Sequence, residues 1–340
     1  MKIAVIGAGA IGAYVGVRLA LAEEQVTFLA RGANLEALRT QGARLVLPDG
    51  TEQVARRVAA TDDYAAAGPQ DLVILAVKAH QLEAVARDVP RLLGPDTVVV
   101  PMQNGIPYWY FHRHGEEFAG RHVDAVDPSG LISTNIPAER VVGCVVYPAT
   151  ELVAPGVVRL IEGDRFPVGE PDGSRSARVV RVSECFGRAG FKAPVLEDIR
   201  SEIWLKLWGN LTFNPISALT HATLLDICED VGTRQLAVEM MTEARDVAAR
   251  LGITMRVPLE KRIAGAAKVG RHKTSMLQDV EAGRTLEIDA LLGAVVELAR
   301  LVGTPTPHLD AVYALTKMMA NVADTERQGR PVAAPADGTA

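Results

Sequence analysis

The first twelve residues read Met1-Lys2-Ile3-Ala4-Val5-Ile6-Gly7-Ala8-Gly9-Ala10-Ile11-Gly12, a β-branched run that breaks directly into Gly-x-Gly-x-x-Gly. No other stretch narrows the fold as much. An apolar helical stretch from Tyr14 to Leu21 follows, and then a second apolar strand, Gln25-Val26-Thr27-Phe28-Leu29-Ala30. In such a unit Gly7 lets the backbone turn, Gly9 removes the side chain that would block a pyrophosphate, and Gly12 lets helix and strand pack closely. The free N–H groups of the first helical turn, on Ala10, Ile11 and Gly12, are left to bind an anion. A glycine triplet alone specifies little; here strand, turn, helix and strand surround it in the order dinucleotide binding demands.

The expected architecture is therefore α/β, with an N-terminal Rossmann-type domain. Where an NAD site would carry a carboxylate for the ribose hydroxyls, the second strand ends in Ala30-Arg31-Gly32. A guanidinium there offers a planar fork to a 2′-phosphate, which favours NADPH/NADP+; the bland alternative is a solvated loop arginine. At 340 residues and 48% hydrophobic content the chain exceeds the usual size of one domain. A net charge of −5 with scattered Lys and Arg gives no field for nucleic acid. No run of eighteen apolar residues is present to cross a bilayer, and the opening strand lacks the pattern of a signal peptide, so a cytoplasmic protein is expected. The three cysteines, Cys144, Cys185 and Cys228, are too far apart for metal spacing and read as reduced core thiols. His112 and His114 alternate as a metal pair on a strand would, but the adjoining Gly115-Glu116-Glu117 reads as an exposed turn, so they are taken as surface residues and no metal is expected.

Two further apolar strands, Asp71 to Lys78 and Thr97 to Gly105, end in polar residues. In an open parallel sheet ligands bind beyond the carboxyl ends of the strands, which places Lys78 near the phosphates and Asn104-Gly105 near the nicotinamide. Lys78 is otherwise a strand-end lysine in solvent. Residues Val141 to Val168 read as antiparallel hairpins completing the sheet, followed by a helix from Ser176 to Ala189 and a short strand at Lys192–Val195. This domain is assigned residues 1–197. From Asp198 the pattern is helical, giving an all-α substrate domain over residues 198–326 and a Pro-, Gly- and Ala-rich flexible tail over 327–340.

Within the helical part, Lys206, Asn210 and Asn214 recur every fourth residue among Trp204, Leu207, Trp208 and Leu211. They share one side of a helix. An ammonium among tryptophans and leucines needs a partner or loses its proton, and either outcome suits a proton donor. A lysine snorkelling out of a core helix fits the same segment equally well. Glu287, opening a later helix, is a candidate partner, although by pattern alone it is a first-turn capping acid and Ser275 an ordinary N-cap. The apolar faces of this domain, for instance Leu291 to Leu301, suit either core packing or a homodimer.

Taken together the chain resembles the ketopantoate reductases (2-dehydropantoate 2-reductases) from Met1 to about Asp324. The likeness rests on the glycine loop, Arg31, Val77-Lys78, Gln103-Asn104-Gly105, Trp204-x-Lys206-x-x-x-Asn210-x-x-x-Asn214-Pro215, Ser275-Met276-Leu277-Gln278-Asp279 and Glu287-Ile288-Asp289. The resemblance implies that Lys206 is the general acid and that Glu287 orients it and approaches the cofactor. It implies that Asn104, Asn210, Asn214 and Ser275 bind the 2-oxo acid, with Ser275 at its carboxylate, and that Arg31, Lys78, Asn104, the backbone near Ala149 and the loop Gly7-Ala8-Gly9-Ala10-Ile11-Gly12 contact NADPH. The implied reaction is hydride transfer to C2 of ketopantoate, giving pantoate.

One departure stands out. Family members commonly show Asn-Gly a few turns after the second asparagine, where this chain reads Thr223-Leu224-Leu225-Asp226. An aromatic run, Tyr108-Trp109-Tyr110-Phe111, also follows Gly105 and is expected to plug an interdomain face or to contact substrate. Another branched or hydrophobic 2-oxo acid is the alternative substrate. A β-hydroxyacid or opine-type dehydrogenase and a non-catalytic NADP(H)-binding sensor are the alternatives of other classes.

Overall fold

A computed structural model describes residues 1–327, so the expected flexible tail lies, from Gln328 onward, outside the described residues. The chain divides into two units, Met1–Ile203 and from Trp204 onward. That division falls inside the helix Ile199–Thr220, a few residues past the expected boundary at 197, because Ile199 and Ile203 are buried in a core cluster of the first unit.

The first unit contains β1 (Lys2–Ile6), β2 (Gln25–Leu29), β3 (Ala43–Val46), β4 (Glu52–Ala55), β5 (Ala59–Thr61), β6 (Gln70–Leu75), β7 (Leu93–Pro101), β8 (Gly143–Cys144), β9 (Ala149–Ala154), β10 (Val157–Glu162) and β11 (Val168–Gly169). The main sheet is parallel in the order β5-β2-β1-β6-β7. Buried on both faces, its strands β1 and β6 carry Ile3, Val5, Leu72, Val73 and Ile74, all fully inaccessible to solvent. The strand order reverses between β1 and β6, and a parallel sheet opens a crevice beyond the strand ends at that point. The first helix, Ala10–Leu21, packs so closely that a Cβ on Gly16 would lie 2.3 Å from the ring of Phe28.

The expected hairpin does form, but it does not complete this sheet. β9 and β10 pair antiparallel, and β10 then pairs parallel with β3 in a separate sheet ordered β4-β3-β10-β9. An isolated bridge from Val141 to Val99 touches the edge of the main sheet, and β8 pairs with β11. The expected strand at Lys192–Val195 is reduced to two bridges, Lys192 with Arg165 and Val195 with Val168. The helix Ala177–Arg188 forms as expected, capped by the Ser176 hydroxyl.

The aromatic run is buried within this unit. Tyr108 and Trp109 belong to a core cluster with Val141, Val145 and Ile199. The buried Arg200 guanidinium lies over the rings of Trp109 and Tyr110 and donates to the carbonyls of Tyr110, Pro171 and His112. His112 and His114 are half-buried rather than surface residues. Burial pushes the His112 imidazole below its ordinary pKa, and the ring of His114 stacks 5.6 Å from that of Phe118. All three cysteines are buried and none forms a disulfide. Among the described residues no group of three or more His, Cys, Asp or Glu side chains is placed to hold a metal, and no helix is long and apolar enough to cross a membrane.

From Trp204 to Arg327 the described secondary structure is wholly helical. Trp204 and Trp208 are among the largest fully buried side chains, and Trp208 Nε1 donates to the Met241 carbonyl at 2.7 Å. This ties the helix Ile199–Thr220 to the helix Val231–Arg250, whose inner face carries Met240, Met241, Ala244 and Val247. Glu243 reaches from that same helix to accept the N–H groups of His308 and Leu309, so it caps the helix Pro307–Arg327 from outside. Replacing Trp208 by Phe keeps the ring but strands a buried carbonyl without its indole donor. The expected cost is about 1–3 kcal/mol, read as a lower melting temperature than that of wild type.

Candidate functional site

The glycine loop joins β1 to the helix Ala10–Leu21 at the point where the strand order reverses. Gly7 adopts φ +97°, and a Cβ there would lie 2.8 Å from Val77 Cγ1. A Cβ on Gly12 would lie 1.9 Å from the Gly7 carbonyl oxygen, so no side chain fits where helix and strand meet. Gly9 differs, because nothing in the protein lies within 4 Å of its missing Cβ. What Gly9 leaves open is space for a ligand. It caps the helix without a side-chain hydrogen bond, and the first turn holds no acidic residue, so the backbone N–H groups and the helix dipole present uncompensated positive potential.

This loop forms one wall of a groove of about 410 Å³ lined by Gly7, Ala8, Gly9, Arg31, Asn34, Asp62, Tyr64, Val77, His80 and Gln81, a volume within the usual range for cofactor sites. Arg31 stands just after β2 as the N-cap residue of the helix Gly32–Gln41. Tyr64 shares the groove with it; burial pushes its phenol up to about 12, partly offset by the nearby Arg31 charge. Asn34 donates to the Ala8 carbonyl at 3.3 Å and accepts the Gly156 N–H at 3.1 Å, which fastens the glycine loop to the turn between β9 and β10. Groove and loop fit the anionic, ribose-bearing shape of a dinucleotide. Asn34, Asp62, Tyr64, His80 and Gln81 went unrecognised in the sequence, because only the convergence of four separate chain segments makes them neighbours.

The other residues expected at the cofactor are placed as follows. Lys78 caps a short helical turn immediately after the groove-lining Val77, and its backbone N–H meets Gln81 Oε1 at 3.2 Å. Gln103 Nε2 donates to the carbonyls of Leu75 at 2.8 Å and Val77 at 2.9 Å, so the loop bearing Asn104 is pinned to the segment that leads to Lys78. Asn104 is half-buried beside Gly105, which takes φ +93°. Ala149 begins β9, outside the lining of the groove.

In the second unit Lys206, Asn210 and Asn214 lie on one helix as their spacing demands. Lys206 and Asn210 are half-buried, while Asn214 is buried and its amide reaches the Ser275 hydroxyl at 3.4 Å. Two residues expected at the substrate are thereby neighbours. Pro215, following Asn214, removes a backbone donor from the helix interior. Ser275 is not the N-cap of its helix. Thr274 accepts the Leu277 N–H through its hydroxyl, which leaves Ser275 as the first helical residue with its own hydroxyl turned to Asn214. Glu287 precedes the next helical stretch and its carbonyl accepts the Leu291 N–H at 3.2 Å. That stretch opens as a π-helical turn, Asp289–Gly293, and such turns recur at functional sites. Asp289 is held by the Tyr313 hydroxyl at 2.8 Å and by the Lys317 ammonium, which fixes the backbone two residues from Glu287. Leu224 is half-buried and begins a helix capped by a reciprocal Thr223–Asp226 box.

Gly9 and Gly12 make a paired test of the loop. Gly12→Val is expected to lower the melting temperature, since the overpacking costs about 1–3 kcal/mol or more. Gly9→Val should melt close to wild type yet lose dinucleotide affinity in a fluorescence titration.

Comparison with known proteins gives a consistent family. A model described as Ketopantoate reductase PanE/ApbA matches residues 3–173, and one described as Ketopantoate reductase PanE/ApbA C terminal matches residues 198–320. A 2-dehydropantoate 2-reductase of Mesorhizobium japonicum is 52% identical over 323 residues, covering 94% of this chain and 98% of its own. That of Pyrococcus horikoshii is 32% identical, covering 93% and 97%. The crystal structure of a proposed ketopantoate reductase from Ralstonia solanacearum MolK2 superposes with a TM-score of 0.89 at 44% identity, covering 97% of this chain and 99% of its own.

Proposed function

We propose that this chain, which belongs to the ketopantoate reductase family, reduces 2-dehydropantoate to pantoate with NADPH. The observation that carries the reading is the near full-length similarity to a 2-dehydropantoate 2-reductase at 52% identity. The groove supports it, because an uncapped helix N-terminus and the Arg31 guanidinium suit a pyrophosphate and a 2′-phosphate on one ligand.

NADPH, when bound, supplies the hydride that adds to C2 of the 2-oxo acid. Negative charge then grows on the carbonyl oxygen, and Lys206 is assigned as the group that donates a proton to it, so that the product is an alcohol. Glu287 is assigned to hold the Lys206 ammonium protonated and in line, and also to contact the cofactor. Asn210 and Asn214 orient the substrate by amide hydrogen bonds without adding charge that would disturb the lysine's proton, and Ser275 takes the carboxylate. Asn104 is assigned to both substrate and cofactor, with Lys78, Arg31, the backbone at Ala149 and the glycine loop holding NADPH.

Leu224 favours a second reading of the substrate. An apolar side chain stands where the family commonly has an amide for the substrate's hydroxyl, which suits another branched or hydrophobic 2-oxo acid. NADPH oxidation measured against a panel of 2-oxo acids separates the two, and a protein that binds NADPH but oxidises it with none of them would be a sensor. In the same assay Lys206→Ala is expected to lower kcat by about 10²–10⁴ while the Kd for NADPH stays near that of wild type. Arg31→Ala should weaken NADPH by about tenfold or more and leave NADH little changed, as isothermal titration would show.

A further inference from the structure

We infer that Tyr313 and Lys317 are positioning residues for the reduction proposed above: by holding Asp289 they keep a π-helical turn open, and that turn sets the direction of Glu287. The inference rests on the role given there to Glu287. The stretch Asp289–Gly293 holds one residue too many for an α-helix, since the Ala294 N–H donates to the Asp289 carbonyl, five residues back instead of four. Before and after it the geometry is ordinary. The Leu291 N–H reaches the Glu287 carbonyl at 3.2 Å, four residues back, and the α-helix Ala294–Leu301 continues beyond the turn. Relaxing the turn to regular α-helix would carry the residues before it about 100° around the helix axis and about 1.5 Å along it. Glu287, two residues before the turn, would swing with them.

What holds the turn open is a clamp from the helix Pro307–Arg327. Tyr313 Oη donates to Asp289 Oδ1 at 2.8 Å, and Lys317 Nζ lies 2.7 Å from Oδ1 and 2.5 Å from Oδ2. Four residues apart, the two side chains share a face of one helix and close on a single carboxylate. The far end of the turn is gripped as well. A Cβ on Gly293 would lie 2.9 Å from Tyr313 Oη and 3.0 Å from its Cζ, so the tyrosine packs on bare backbone there. One side chain thus meets the first residue of the turn by a hydrogen bond and the last by contact. Burial, reinforced by the Asp289 carboxylate, pushes the Tyr313 phenol above its ordinary pKa and keeps it a donor. Between these ends Ala290, Leu291 and Leu292 are buried, so the turn cannot change register without moving core side chains. Neither Tyr313 nor Lys317 has to touch substrate for this to matter, because misplacing a reacting group by about 1 Å can cost about a hundredfold in rate.

The test measures turnover of 2-dehydropantoate by the full-length chain as wild type, Lys317→Met, Lys317→Arg, Tyr313→Phe, Glu287→Gln and the double variant Glu287→Gln with Lys317→Met. Lys317→Met is expected to lower kcat by about 10- to 100-fold with the KM for 2-dehydropantoate within about threefold of wild type, and Lys317→Arg to recover most of the loss. On top of Glu287→Gln, Lys317→Met should cost less than about twofold more, because no carboxylate remains to be aimed. Losses that multiply in the double variant, or a Lys317→Met with wild-type kcat, overturn the inference. Should Lys317→Met fail to fold, Tyr313→Phe takes its place alone and combined with Glu287→Gln: a loss that vanishes in the combination supports the inference, and a multiplied or absent loss refutes it. A Glu287→Gln enzyme with wild-type kcat overturns the role given to Glu287 and this inference together, whereas a disabled Glu287→Gln beside a fully active Lys317→Met removes only the latter.

Discussion

The contact between the Gly12 backbone and the Gly7 carbonyl is the constraint on which the first unit depends. A single methyl group at that junction would overlap the oxygen, at 1.9 Å. Keeping it bare lets the helix Ala10–Leu21 begin directly at the end of β1, beside the exit of β6, so that unsatisfied N–H groups converge where the strand order reverses. The positions of Arg31 and Val77 follow from this arrangement. Each lies just beyond the end of a strand in register with β1, so the pairing that builds the core also gathers the groove.

Much of this was legible because it is local. A β-branched run followed by the glycine pattern can hardly fold otherwise, and three polar residues at helical spacing among tryptophans and leucines announce their own face. The sheet assignment of β9 and β10 was not legible. The hairpin is a local signal, but its parallel partner β3 comes from more than a hundred residues earlier, and no periodicity encodes that choice. The burial of the aromatic run 108–111 was not legible for a related reason. Its composition suits a ligand site as well as a core, and only the proximity of Arg200 and Ile199 reveals the core. Ser275 and Thr274 are both competent caps, and the difference lies in which hydroxyl has a second partner. Asn214 supplies one to Ser275.

The second unit solves a different problem, since a helix that carries polar groups on one side must be held firmly on the other. Trp204 and Trp208 do this by burial, and the indole of Trp208 adds a directional bond to Met241. Asp289 acts similarly on the chain after Glu287, where Tyr313 and Lys317 secure a turn with an extra residue in it. In both places the candidate group is borne by backbone whose orientation is fixed by neighbours that need never touch a ligand.

The bridge made by Asn34 carries a consequence for how the groove can be observed. The Asn34 amide spans the Ala8 carbonyl and the Gly156 N–H, the latter 122 residues from Asn34 along the chain. Whatever displaces Asn34 from the glycine loop also exposes that distant N–H to solvent. The exchange lifetime of a single proton in the β9–β10 bend is therefore a native reporter of events at the loop, needing neither a label nor a reaction to follow.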